Sequence, residues 1–338
     1  MQKKKVTIKD IAKEAEVSIS TVSRVINNKD RVDEKTRAKV QHILDMTEFV
    51  PNNLAVSMVK GQTKIVGIVV PDIVNPFYAA VIQGVEQVAK SMECLTVVFA
   101  NDDNKELEQA LLGGVFKSMA DGVVAVPAHP DSGQMYADLG KPVVFADRHI
   151  AQTFFDTVTI DNFGGAYMAT AHLIQNGHTR IAIINGLQTF NVGKERLRGY
   201  QKAMEDHGIQ VDENLVRFAD WTEKCGSDFA EEIVNLKSPP TAIFATNNLL
   251  CRGVISAIGK LNIRIGEDIS LVGFDDDVLA GYKPVNVTVV DRPTHEVGVA
   301  CASLLFERLS NPEAQKSKVS KRIVLGTQLI ERSSVKKL

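Results

Sequence analysis

From residue 65 to residue 274 the chain alternates short, almost uninterrupted apolar runs with longer segments of helical periodicity, and few folds satisfy that alternation. The runs are Ile65–Val70, Leu95–Phe99, Gly122–Val126, Val143–Ala146, Arg180–Ile184, Ala242–Ala245 and Ile269–Phe274. Val, Ile and Ala occupy consecutive positions in them, as in strands buried on both faces, rather than alternating with polar residues. The intervening segments are long enough for crossover helices. The pattern therefore predicts an α/β protein with two doubly wound, parallel-sheet lobes. Ligands of such sheets lie in the crevice beyond the carboxyl ends of the strands. Asn75, Asp147, Asn247 and Asp275 each follow an apolar run and become candidate ligand contacts.

The N-terminal residues follow another rule. Ile8, Ile11, Ala12 and Ala15 share one helical face, and Thr7 with Asp10 has capping-box spacing. After the turn Glu16-Val17-Ser18, Ser18 can cap a second helix with Val22, Val25 and Ile26 inward. Ser20, Arg24 and Asn27 then face outward, with Thr21 and Ser23 on the flanks. A third helix is expected to open at Asp33-Glu34-Lys35-Thr36 with Val40, Ile43 and Leu44 on its apolar side. This is an all-α helix-turn-helix headpiece, and hydroxyls, an amide and a guanidinium on its second helix suit base edges and phosphates in a major groove. Ile19, Ser20 and Arg24 are the candidate base contacts, whereas Thr7, Thr21, Ser23 and Asn27 suit backbone positioning. Charge agrees: residues 1–64 hold 13 Lys and Arg against 8 Asp and Glu, which leaves 26 against 33 in the rest. A basic head attracts phosphates, and an acidic body avoids binding them indiscriminately.

The pattern divides the chain into a headpiece over residues 1–50, a linker over 51–63 and a two-lobed ligand-binding domain over 64–338. The stretch from Pro51 to Val59 is too short to be a stable helix alone. Cys94, Cys225, Cys251 and Cys301 lack metal or redox spacing, which suits buried thiols in a reducing compartment. No apolar run follows Lys3-Lys4-Lys5 as in a signal peptide, and no membrane-length apolar stretch occurs, so a cytoplasmic protein without a membrane partner is expected. The sequence shows no nucleotide-phosphate loop, nucleophile elbow or metal spacing, so neither a cofactor nor an enzymatic activity is expected. His178, after Asn176-Gly177, reads as a helix-end cap.

The chain resembles the Lac/Gal repressor family of bacterial transcription regulators over essentially its whole length. The resemblance is carried by Thr7-x-x-Asp10-x-Ala12-x-x-Ala15-x-Val17-Ser18-x-x-Thr21-Val22-Ser23-Arg24-Val25-Ile26-Asn27, Pro51-Asn52 and Gly67-Ile68-Val69-Val70-Pro71-Asp72. Asn75-Pro76-Phe77-Tyr78, Asp147-Arg148, Asn176-Gly177-His178, Glu195-Arg196-Leu197-x-Gly199-Tyr200, Pro240-Thr241-Ala242-Ile243-Phe244 and Val272-Gly273-Phe274-Asp275-Asp276 follow in order. It implies a homodimer on palindromic operator DNA, with residues 51–63 as a hinge helix and 64–338 as the dimerisation as well as the ligand-binding domain, most plainly a repressor of carbohydrate-utilisation genes, with a small sugar or sugar-acid effector between the lobes. Arg31, Asn52, Ala55, Met58 and Val59 then join the DNA contacts, with Met58 and Val59 entering the minor groove at the central step. The implied effector residues are Asn75, Phe77, Tyr78, Asp147, Arg148, Arg196, Trp221, Asn247, Asp275 and Arg292. Chemically they make a polyol site, with carboxylates and amides for vicinal hydroxyls, arginine forks and aromatic faces for a sugar ring.

Three positions depart from the family pattern. Glu16 stands where Gly is usual, Met58 where Leu is common, and Arg292 where Gln is common. A guanidinium at a cleft wall needs an anion, which Asp275, Asp291 or the effector's own carboxylate could supply. A narrower resemblance, resting on Asp291-Arg292-Pro293, is to the branch governing hexuronate and 2-keto-3-deoxygluconate use, which implies a sugar acid. A sugar-binding transport receptor and a regulator responding to a neutral sugar or phosphosugar are the competing readings.

Overall fold

The computed structural model describes residues 6–26, 32–47, 63–151, 153–276, 286–311, 313 and 319–338. It divides into two units, residues 1–63 and 64–338.

The first unit contains α1 (Ile8–Ala15), α2 (Ile19–Ile26) and α3 (Glu34–Met46). Both halves of the capping box form at α1: the Thr7 N–H donates to Asp10 Oδ2 at 2.9 Å, and the Asp10 N–H donates to Thr7 Oγ1 at 3.4 Å. Ser18 Oγ accepts from the Thr21 N–H at 3.1 Å at the start of α2, and Asp33 Oδ1 accepts from the Thr36 N–H at 2.9 Å at α3. Glu16 ends α1 in the left-handed region at φ 57°, a conformation that favours the glycine it replaces. Ile11, Ala15, Val22, Val25, Val40, Ile43 and Leu44 close the small core.

In the second unit β1 (Ile65–Val70), β2 (Leu95–Ala100), β3 (Gly122–Ala125), β4 (Val143–Ala146), β5 (Asp156–Ile160) and β11 (Arg322–Leu325) form one sheet in the order β11-β5-β4-β3-β1-β2. The other contains β6 (Ile181–Gly186), β7 (Val216–Ala219), β8 (Ala242–Ala245), β9 (Ser270–Phe274), β10 (Thr288–Asp291) and β12 (Gln328–Ile330), in the order β12-β10-β9-β8-β6-β7. The orders match strand for strand, so β4 and β9 occupy equivalent places. Around the sheets lie α4 (Pro76–Ser91), α5 (Lys105–Leu111), α6 (Gly133–Asp138), α7 (Asn162–Gln175), α8 (Asn191–Asp206), α9 (Glu223–Val234), α10 (Asn248–Lys260) and α11 (Thr294–Ser310). A π-helical turn, Leu112–Phe116, follows α5. Helices α4 and α11 approach so closely that a Cβ on Gly84 would sit 2.2 Å from the His295 carbonyl oxygen. The seven expected runs all contain strands.

Two expectations need correction. β5, β7, β10, β11 and β12 were not among the expected runs. β7, β11 and β12 are short edge strands with partly exposed faces, and β5 carries Asp156, Thr157 and Thr159 inside the protein, so none shows a continuous apolar run. The second sheet is also not wholly parallel, because β12 runs antiparallel to β10. Only Gly326 and Thr327 separate β11 from β12, so the chain leaves one sheet at its carboxyl edge and enters the other from that same edge. The chain passes between lobes there, between β5 and α7, and between β10 and α11.

Candidate functional site

In the headpiece, burial of Val22 and Val25 turns the other side of α2 outward. Ser20 and Arg24 are exposed there, and Ile19 keeps 45% of its surface open beside them. Thr21 and Ser23 are half-buried flanks. The Thr7 hydroxyl donates to Asp10 at 2.6 Å and Ser18 Oγ lies 2.8 Å from Thr21 Oγ1, so these hydroxyls hold the helix starts. Asn27, Arg31, Asn52, Ala55, Met58 and Val59 lie outside the described residues.

In the second unit the carboxyl ends of the two sheets enclose a cleft of about 280 Å³, near the lower edge of small-molecule sites. All ten residues named above for the effector line it. Asp147 follows β4 and Asp275 follows β9, and each donates its N–H across to the next strand, to Val158 and Val290, both at 2.8 Å. Both are held at positive φ, 63° and 76°, a strained setting for a residue with a Cβ and one often found at binding sites. Asn75 Oδ1 accepts from the Phe77 N–H at 3.1 Å at the start of α4 and from Asn248 Nδ2 of the other lobe at 3.0 Å. Asn247 Oδ1 caps α10 by accepting from the Leu250 N–H at 2.8 Å. Trp221 lies across the end of β6, where a Cβ on Gly186 would meet its ring at 1.9 Å. Phe77 and Tyr78 are buried beside the charged groups, edge to face at 4.9 Å.

Three buried arginines give the cleft its electrostatics. Arg148 forks onto Asp103, donates through Nη1 to the Pro127 carbonyl at 3.1 Å and faces the Phe190 ring at 4.9 Å. Arg292 donates through Nη1 to Asp147 Oδ1 at 2.8 Å and through Nη2 to Asp275 Oδ2 at 3.0 Å, with its guanidinium carbon 3.4 Å from the Phe77 ring centre. Burial opposes its charge, but Asp275 and Asp147 outweigh burial and lift its pKa above the ordinary value. Arg292 lies on a crossing segment and so takes one carboxylate from each lobe. Arg196 differs. It is 1% exposed, donates through Nε to Asn162 Oδ1 at 2.9 Å and through Nη1 to the Thr246 carbonyl, and lies 3.8 Å from the Phe274 ring centre. Among the described residues no carboxylate pairs with it, and its buried Nη2 has no hydrogen-bond partner. Burial, then repulsion from Arg292, lowers its pKa to about 10.

The partner of Arg292 is therefore not Asp291, whose carboxylate accepts instead from Gln328 Nε2 at 3.3 Å. Asp291 is the last residue of β10 and Arg292 the first beyond it, and their side chains take different partners. His178 is no simple helix cap: fully buried, it places Nδ1 2.9 Å from Thr241 Oγ1 and Nε2 3.1 Å from the Lys336 carbonyl, tying the C-terminal tail to the sheet. Asp103, Asn248 and Phe190 also line the cleft and escaped the sequence reading. Asp103 stands just beyond the run that became β2, so the strand-end rule could have found it.

The model described as "Bacterial regulatory proteins, lacI family" matches residues 7–52, and that described as "Periplasmic binding protein-like domain" matches residues 170–335. The transcriptional regulator DegA of Bacillus subtilis is 31% identical over 340 residues, covering 99% of each chain. The regulator CelR of Thermobifida fusca is 33% identical over 343 residues, covering 98% of this chain and 99% of its own. Among solved structures, a CelR–cellobiose complex matches with a TM-score of 0.72 at 31% identity, over 97% of this chain and 99% of that one. The lac repressor dimer bound to operator and the anti-inducer ONPF matches in fold with a TM-score of 0.80 at 24% identity, over 98% of this chain and all of that one. Capped helix-turn-helix, two equivalent sheets and full-length relatives agree: the chain belongs to the LacI family of DNA-binding transcriptional regulators.

Proposed function

We propose that this regulator binds palindromic operator DNA as a homodimer and represses carbohydrate-utilisation genes, with its DNA affinity set by a small carbohydrate acid in the cleft. The exposed face of Ile19, Ser20 and Arg24 supports base readout, with Thr7, Thr21, Ser23 and Asn27 positioning the backbone and Arg31 a further DNA contact. The hinge residues Asn52, Ala55, Met58 and Val59 would engage the minor groove. Effector binding changes the lobe angle and so the spacing of the two headpieces, a coupling free energy between two sites.

The observation that carries the effector class is Arg196. Arg292 already holds two carboxylates, so the unmatched guanidinium is that of Arg196, which is buried, depressed in pKa and left with an Nη2 that has no hydrogen-bond partner. A ligand carboxylate there would relieve the cost of that buried charge. Asp147, Asp275 and Asn247 would meet the hydroxyls, and Trp221 the ring or chain face. A neutral sugar is the second reading, favoured because the lining holds five aspartates, Asp72, Asp102, Asp103, Asp147 and Asp275, against three arginines.

Calorimetry of gluconate against glucose separates them. A preference for gluconate that Arg196→Gln reduces by about 1.5–3 kcal/mol supports the sugar-acid reading. Equal or tighter binding of glucose sinks it. For the DNA function, Arg24→Ala should lower the preference for operator over random duplex. A parallel loss on both duplexes would make Arg24 a phosphate contact only.

A further inference from the structure

Glu108, on α5, does not line the cleft and is fully buried. A carboxylate in that setting is tolerated only when donors surround it, and four do. Glu108 Oε1 accepts from Asn101 Nδ2 at 3.3 Å, the Ala128 N–H at 2.9 Å and the Tyr136 hydroxyl at 2.7 Å, while Oε2 accepts from the Ser132 hydroxyl. These donors come from the two loops that leave β2 and β3 at the cleft and from the helical segment beyond. Two chains of contact lead from them to Arg148. Asn101 Oδ1 accepts from the Asp103 N–H at 3.1 Å, and the Asp103 carboxylate forks onto the Arg148 guanidinium. Ala128 follows Pro127, whose carbonyl accepts from Arg148 Nη1. Asp102 and Asp103 both sit at φ 52°, a left-handed pair that needs external restraint. No cation pairs with Glu108 among the described residues, and its partners are the donors of these loops.

We propose that Glu108 is the positioning residue for Arg148: one buried carboxylate fixes both groups that aim the Arg148 guanidinium into the cleft. The proposal rests on the reading above that Arg148 contacts the effector. Glu108→Gln keeps the shape but replaces a carboxylate that accepts from four donors with an amide whose single oxygen is a weaker acceptor and whose nitrogen makes the Ser132 hydroxyl reverse and accept, so the grip on the loops weakens.

The test uses the full-length protein. Hydrogen exchange without any ligand reads the tether: Glu108→Gln should speed exchange at the amides of Asp103 and Ala128 and leave Ile183, in the other sheet, unchanged. Unaltered exchange at Asp103 and Ala128 overturns the proposal, whatever the effector proves to be. Calorimetry with gluconate then reads Glu108→Gln, Asp103→Asn and the double variant. Glu108→Gln should weaken binding about tenfold, the loss expected when one charge-assisted contact is misplaced, and should add clearly less once Asp103→Asn is present, because only the path through Ala128 and Pro127 then remains. Equal losses in both backgrounds would make Glu108 a general fold residue and overturn the positioning role, as would normal affinity in Glu108→Gln. If wild type binds neither gluconate nor glucose, the sugar-effector reading fails, and the exchange result alone decides the tether.

Discussion

Removing the Arg292 side chain should be among the most damaging single changes in the second unit. Arg292, Asp147 and Asp275 are each between 5% and 6% exposed, and the guanidinium reaches one carboxylate in each lobe at 2.8 and 3.0 Å. In Arg292→Ala both carboxylates stay in the cleft wall, held by their backbone hydrogen bonds to β5 and β10, and face each other without the cation. Breaking a buried ion pair by deleting one partner costs about 3–5 kcal/mol, because the survivor is left charged and unmatched. For a domain of this size each kcal/mol lowers the melting temperature by about 2–4 °C, so a fall of about 6–20 °C is expected. Calorimetric melting of the full chain at neutral pH measures it. The loss comes from charge rather than packing, so the variant Arg292→Ala with Asp147→Asn and Asp275→Asn should recover most of it. A fall under about 3 °C in Arg292→Ala, or no recovery in the neutralised variant, would refute it, since either result means that the carboxylates did not need the cation.

Thr7→Ala removes both hydroxyl bonds of the capping box and should destabilise α1 by about 1 kcal/mol, read as faster exchange of the Asp10 amide. Glu16→Gly should stabilise the headpiece by about 0.5–1 kcal/mol by relieving the left-handed backbone, less whatever the exposed Lys39 pair at 3.2 Å contributes. Burial holds the His178 imidazole below its ordinary value of 6.5, with the Lys336 carbonyl only partly opposing it. The unfolded chain therefore takes up its proton first as pH falls, so this contribution is complete above about pH 6.5 and is lost below it; His178→Asn should flatten the denaturant midpoint between about pH 7.5 and 5.5. Gly186→Ala must displace the Trp221 ring, and since Trp221 is the only tryptophan, the intrinsic fluorescence should shift with it.

The headpiece was legible because its signals are local: Thr7 and Asp10 are three residues apart, and the structure forms the cap they predict. The central strands were legible because burial on both faces leaves continuous apolar runs. β7, β11 and β12 were not, since an edge strand has a wet side, and β5 hides Asp156 behind the two-pronged grip of Arg308 at 2.7 and 2.8 Å, a partner 152 residues away. Glu108 sits near Glu106 on a polar helix and reads in sequence as a solvated charge; only the fold reveals its donors.

The same limit applies to Arg292. Sequence reading left Asp275, Asp291 and a ligand anion open as its partner; the fold takes Asp275 and adds Asp147, which lie 17 and 145 residues away. Asp147 and Asp275 could each be picked as a residue after a strand. That they are equivalent members of two matched sheets follows only from the strand order. Once that equivalence is known, the place of Arg292 on a crossing segment becomes meaningful: it alone among the three cleft arginines holds a carboxylate from both lobes. Arg148 is spoken for within one lobe by Asp103, and Arg196 is left with a free nitrogen. An anion entering the cleft therefore meets its least satisfied cation at Arg196, while the Arg292 bridge resists separation of the lobes.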